Sequence, residues 1–186
     1  KSLKGGYILS TISLTVDGQV VKTEKGKTVL EAALEAGIYI PHLCYHPDLL
    51  PAGACRLCVV EIEGMGIVTS CTTSAEEGMV VKTRTPQLDM IRYIAIELIV
   101  AIHPPDCTSC PKYLNCELQS LFQYLGVTEP RFKRRTKAYS ANLSNALLLH
   151  DSARCVLCGR CVRACYELRG VGVLSPIKRD NEMYIG

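Results

Sequence analysis

The eleven cysteines of the chain fall into three groups whose spacings suit metal-thiolate chemistry. The last group, CVLCGRCVRAC, sets Cys155, Cys158, Cys161 and Cys165 in a C-x2-C-x2-C-x3-C pattern. Three thiolates at three-residue steps can each bind a different corner of an iron-sulfur cube. Tetrahedral zinc has no comparable use for a third immediate repeat. The first group is Cys44, Cys55, Cys58 and Cys71. Four thiolates supply two ligands to each iron of a [2Fe-2S] rhomb, and the glycine and proline of the intervening loop let backbone amides turn toward sulfur. Structural zinc usually takes paired C-x2-C knuckles, whereas Cys44 and Cys71 stand alone. The middle stretch, HPPDCTSCPKYLNC, offers only Cys107, Cys110 and Cys116, with His103 four positions ahead. Iron accepts imidazole, and a neutral ring in place of a thiolate removes one negative charge and favours reduction. His103 is therefore the candidate fourth ligand, the alternative being a histidine that merely caps a helix end. Pro104, Pro105 and Pro111 stiffen the loop around it.

An odd number of cysteines excludes complete disulfide pairing, and no apolar signal core marks the N-terminus. Clustered C-x2-C repeats in that context point to metal ligation in a reducing compartment, with the cytoplasm as the expected location. The net charge of +3 and the single basic run Lys133, Arg134, Arg135 imply no nucleic-acid partner. His42, His46 and His150 read as surface or supporting residues, and Arg56, Arg160 and Arg163 as offsets to cluster charge or as solvated side chains. The sequence holds no Gly-rich dinucleotide fingerprint, nucleophile-base pair or carboxylate dyad, which places substrate chemistry on partner subunits. It begins with Lys1 rather than Met, so trimming at both ends is expected.

The elements that must position these groups read as α+β. TISLTV and VVKT alternate around Asp17-Gly18 as a hairpin. TVLEAALEAG is a helix with a Thr28/Glu31 capping box and Gly37 as its stop. CVVEIEG, GIVTSC and MVVKTR return as strands, a β-grasp pattern over residues 1–84. Thr85 and Pro86 start a second helix with Leu88, Ile91, Ala95, Leu98 and Ile102 on its apolar face. Arg92 and Glu97 interrupt it, and it is too short for the roughly 20 apolar residues of a membrane span. It is expected to be buried between modules. A further amphipathic turn carries Leu118, Leu121, Phe122 and Leu125, closing a small helical module at 85–126 that contains the histidine and the three middle cysteines. Residues 127–150 read as a basic linker, and 151–186 as a ferredoxin-type segment.

This order resembles the N-terminal iron-sulfur region of the large peripheral-arm subunit of respiratory complex I. It is equally similar to the diaphorase iron-sulfur subunit of NAD-reducing hydrogenases and to the N-terminal part of multimeric [FeFe]-hydrogenases and NAD-linked formate dehydrogenases. The resemblance implies a [2Fe-2S] cluster on Cys44, Cys55, Cys58 and Cys71, and a [4Fe-4S] cluster on His103, Cys107, Cys110 and Cys116. It implies a further [4Fe-4S] cluster on Cys155, Cys158 and Cys161. In two-cluster ferredoxins the fourth cysteine of the motif serves the other cluster. Cys165 is thus expected to ligate a further cluster or remain free, and the missing fourth ligand to lie beyond Gly186. A partner's ligand, or Cys165 through an unusual bend, are the alternatives. Larger relatives add a molybdopterin-type or hydrogen-cluster domain, and here Tyr166 replaces the usual proline after Cys165. The implied function is a non-catalytic relay of single electrons between a flavin-containing NAD(P)H-linked subunit and a hydrogenase, formate dehydrogenase or related unit. The rivals are a zinc-stabilised scaffold and a freely diffusing ferredoxin, whose usual acidic surface is missing.

Overall fold

A computed structural model describes residues 10–128, 130–135, 151–179 and 182–186. The expected linker 127–150 falls largely, and His150 wholly, outside these residues. The chain divides into two compact units, residues 1–40 with 58–88 and residues 41–57 with 89–186.

The first unit is built on a five-stranded sheet, ordered β2-β1-β5-β3-β4. Strands β1 (Thr11–Val16) and β2 (Gln19–Glu24) pair antiparallel, from Thr11 opposite Glu24 to Val16 opposite Gln19. The two-residue turn between them has positive φ at both positions, 49° at Asp17 and 82° at Gly18, the backbone that an Asp-Gly pair supplies most readily. The Asp17 carboxylate then accepts from the Thr83 amide at 2.7 Å and the Thr83 hydroxyl at 2.5 Å, tying the turn to the end of the sheet. Helix α1 (Val29–Glu35) opens with the Thr28/Glu31 capping box in place. It buries Val29, Leu30, Ala32 and Ala33, the apolar half of a short amphipathic repeat. Strands β3 (Val59–Ile62) and β4 (Gly66–Thr69) form a second hairpin. Strand β5 (Val80–Lys82) closes the sheet, parallel to β1 and antiparallel to β3. This is the β-grasp order of hairpin, helix and returning strands. Ile12, Leu14 and Val16 alternate into its core with Val21, Val60, Ile62 and Val81. The strand read through Cys71 stops at Thr69, because Ser70 turns to give its carbonyl to the Leu30 amide at 3.1 Å.

Helix α2 (Pro86–Ala101) starts at the residue the sequence indicates, with the Thr85 hydroxyl accepting from the Leu88 amide at 3.3 Å. Its buried face differs from the expected one. Leu98 is 52% exposed, while Arg92 and Glu97 are buried beside Ile96 and Val100. Both charges are partnered, as burial requires, and each has one partner distant in sequence. Arg92 donates to the Leu57 carbonyl at 3.1 Å and meets Asp89 at 3.4 Å. Glu97 accepts from the Arg131 amide at 2.8 Å and pairs with its guanidinium at 2.6 Å, which holds the carboxyl below the usual glutamate range. Arg131→Met is expected to lower the melting temperature more than the double change Arg131→Met with Glu97→Leu. Only the single change strands a buried carboxylate. Equal losses in thermal unfolding would show that the ion pair is not what secures the helix.

Helix α3 (Glu117–Tyr124) buries Leu118 and Leu121, and Gly126 follows it with φ 64°. These leucines pack with Leu43, Leu57, Ile96, Val100 and Val127 as the core of the second unit, against which Cys55, Cys116, Val156 and Cys158 lie. A short helix α4 (Arg160–Arg163) runs into a π-helical turn over Ala164–Leu168. Strands β6 (Pro176–Arg179) and β7 (Glu182–Ile185) form a separate two-stranded sheet that the periodicity did not reveal. Its sequence signal is the Asp180-Asn181 pair between two short runs. Among the described residues no helix is long and apolar enough to cross a membrane.

Candidate iron-sulfur sites

None of the eleven cysteines is in a disulfide. In the first group, Cys44 and Cys55 belong to the second unit, Cys58 and Cys71 to the first. The hydrogen bond from Cys55 comes first in pulling the Cys44 thiol down to about 5, aided by the amides of Cys55 and Ala54 and by the charge of Arg163. The same partnership, together with burial, pushes Cys55 up. The downward direction at Cys44 favours the thiolate, the form that binds metal. Cys58 and Cys71 are both buried, and the β3-β4 hairpin ties the Cys58 carbonyl to the Ser70 amide at 3.0 Å and to its hydroxyl at 2.7 Å.

The second group is strung along one connection between α2 and α3. His103 follows the last turn of α2, with its amide donating to the Val100 carbonyl at 3.0 Å. Cys107 opens a 3-10 turn, Cys110 ends it, and Cys116 stands at the N-terminus of α3. All four line one cavity of about 960 Å³, together with Cys158 of the third group. His103 Nδ1 lies 3.0 Å from the Pro104 carbonyl. A carbonyl only accepts, so Nδ1 carries the proton and the ring lone pair is on Nε2, the usual arrangement of a ligating imidazole.

In the third group the Leu157 amide approaches Cys155 Sγ at 3.4 Å. Burial, then the charges of the nearby Cys155 and Cys158, push the Cys161 thiol up. Cys165 has different company. The nearby amides of Leu174, then Val173 and Gly172, hold its thiol below the usual range, while the Val171 and Gly172 amides donate to its carbonyl at 3.1 and 3.4 Å.

The residues present fit sulfur-rich cofactors. Among the described residues four non-glycine positions have positive φ, and three of them, Arg56, Leu114 and Leu157, sit inside the three cysteine groups. Left-handed backbone is disfavoured for such side chains, and it aims successive amides into a concavity suited to anionic sulfur. Among the described residues no three His, Cys, Asp or Glu side chains meet at one point as ligands of a single ion would.

The other residues singled out in the sequence have local roles. His42 packs edge-on against Tyr45, with ring centroids 5.5 Å apart, and His46 Nδ1 accepts from the Asp48 amide at 3.3 Å. Arg56 is exposed, and Arg160 pairs with Glu117 at 2.8 Å. Sequence reading missed Arg154. Its guanidinium meets Asp106 at 2.9 Å, Ser109 at 3.0 Å and Asp151 at 3.1 Å. Only its spacing from Asp151 hinted at this.

Residues 10–86 match the 2Fe-2S iron-sulfur cluster binding domain family. Residues 92–131 match the NADH-ubiquinone oxidoreductase-G iron-sulfur binding region, and 145–186 the ferredoxin-like domain of NADH-quinone oxidoreductase subunit 3. With 2Fe-2S and 4Fe-4S binding domains in sequence, the molecule is of the iron-sulfur electron-transfer class. A solved NAD+-reducing [NiFe]-hydrogenase, in its H2-reduced state, superposes with a TM-score of 0.87 at 36% identity, over 95% of this chain and 74% of that one. The chain belongs to the family of iron-sulfur subunits found in NAD+-reducing hydrogenase and NADH-quinone oxidoreductase. The mitochondrial NADH-ubiquinone oxidoreductase 78 kDa subunit of Neurospora crassa is 35% identical over 94% of this chain and 24% of its own length. The NADP-reducing hydrogenase subunit HndD of Solidesulfovibrio fructosivorans is 34% identical over 92% of this chain and 30% of its own. The chain therefore spans less than a third of these curated relatives.

Proposed function

We propose that the chain relays single electrons between a flavin-containing, NAD(P)H-linked subunit and a hydrogenase, formate dehydrogenase or related catalytic unit, within a cytoplasmic hetero-oligomer. The observation that carries this reading is the order of three cysteine groups, each at cluster spacing and each within a matched iron-sulfur domain. Cys44, Cys55, Cys58 and Cys71 would hold a [2Fe-2S] cluster. His103, Cys107, Cys110 and Cys116 would hold a [4Fe-4S] cluster, and Cys155, Cys158 and Cys161 a second one, completed by a ligand other than Cys165. The modules run 1–84, 85–126 and 151–186, joined by 127–150. The clusters, when bound, supply one-electron acceptance and release, which lets a flavin's hydride chemistry be divided into single steps. The chain's own part is to hold thiolates, as at Cys44, to fix the His103 tautomer and to surround sulfur with amides.

The test is composition and colour. The holoprotein isolated without air is expected to carry about ten irons on this chain, with absorbance near 400 nm that dithionite bleaches. Colourless protein loaded with zinc would replace the relay with a scaffold.

A further inference from the structure

Arg163 lies between Cys161 and Cys165, yet its side chain reaches the loop of the first cysteine group. Nη1 donates to the Leu50 carbonyl at 2.5 Å and Nη2 to the Cys44 carbonyl. Four residues on, Glu167 accepts from the Leu50 amide at 2.8 Å. Both backbone polar groups of Leu50 are thus held by one stretch of the third group, and all these atoms belong to the second unit. Leu50 is 70% exposed, so its own burial does not fix it, although the adjacent Leu49 is buried. Arg163 Nε is buried and has no hydrogen-bond partner among the described residues. Buried donors are seldom left so. An orphaned N–H suits an anionic sulfur acceptor, and the guanidinium that carries it is already bonded to the backbone of Cys44, a proposed ligand.

We infer that Arg163 is a positioning residue for the first cluster site. It anchors the Cys44–Leu50 loop from within the third cysteine motif and sets a fixed positive charge on the backbone of Cys44 that raises the reduction potential of the [2Fe-2S] centre. The inference rests on the ligand reading proposed above. Reduction adds one electron, delivered by the mediator of the titration, to a centre already surrounded by thiolates. No bond breaks, and the guanidinium keeps its proton throughout. A nearby cation stabilises the more negative, reduced state, and partial burial keeps that effect from being screened away.

The experiment is a redox titration of the full-length holoprotein, followed by the electron paramagnetic resonance of each cluster. Arg163→Met is expected to weaken one-electron reduction of the [2Fe-2S] centre about tenfold, a fall of about 59 mV, with little change at the His103 cluster. Arg163→Lys keeps the charge and is expected to recover most of the shift. An unchanged [2Fe-2S] potential in Arg163→Met, or a shift confined to the third cluster, overturns the inference. Loss of the [2Fe-2S] signal in Arg163→Met but not in Arg163→Lys supports it, and loss in both overturns it. A wild-type protein with no [2Fe-2S] signal fails at the earlier step, sinking the ligand reading and this inference with it.

Discussion

Replacing His103 with alanine should remove one [4Fe-4S] signal and roughly four irons from the holoprotein while the [2Fe-2S] signal stays. The connection between α2 and α3 carries three cysteines, and His103 lines the same cavity as Cys107, Cys110 and Cys116. Its Nδ1 proton is committed to the Pro104 carbonyl, which leaves the Nε2 lone pair as the donor atom. A cluster deprived of that donor keeps three ligands and an iron open to solvent exchange. His103→Cys tests the electrostatics separately. It should retain the cluster and lower its potential, because a thiolate adds the negative charge that imidazole withholds. Both variants with wild-type spectra and potentials would make the histidine a bystander at the end of α2.

Cys165→Ser in the full-length protein should leave the third cluster in place, whereas Cys161→Ser should abolish it. The two residues are one helical turn apart, but their surroundings differ. Cys161 is close enough to Cys155 and Cys158 for their charges to raise its thiol. The groups that act on the Cys165 thiol are instead the backbone amides of Leu174, Val173 and Gly172, which hold it low. A ligand should sit among its fellow thiolates: Cys155 and Cys158 act on the Cys161 sulfur, and no cysteine acts on that of Cys165. The measurement is iron content with the spectrum of each cluster. Loss of the third cluster in Cys165→Ser would make Cys165 its fourth ligand.

What could be read from the sequence was what neighbouring residues decide. The Asp17-Gly18 turn, the Thr28/Glu31 box and the start of α2 at Pro86 each depend on atoms a few residues apart, and all stand where expected. The cysteine groups were legible for the same reason, since a metal motif is a local spacing. The buried face of α2 was not. Ranking side chains by hydrophobicity puts Leu98 inside and Arg92 and Glu97 outside. The partners that make those charges tolerable, Leu57 and Arg131, are 35 and 34 residues away. The grip of Arg163 on Leu50 and of Arg154 on Asp106 escaped notice likewise, because the arginines and their partners share no periodic pattern.

Arg154 joins two stretches that the chain keeps far apart, Asp106 and Ser109 on one side and Asp151, just ahead of Cys155, on the other. A single guanidinium can satisfy both only when both are ordered, so ordering either stretch lowers the entropy lost in ordering the other. Thermodynamic linkage then makes the benefit mutual. Whatever factor occupancy of the middle group adds to iron affinity at the third, occupancy of the third returns to the middle. If the two groups hold clusters as proposed, half-filled chains would be rarer than two independent sites would give.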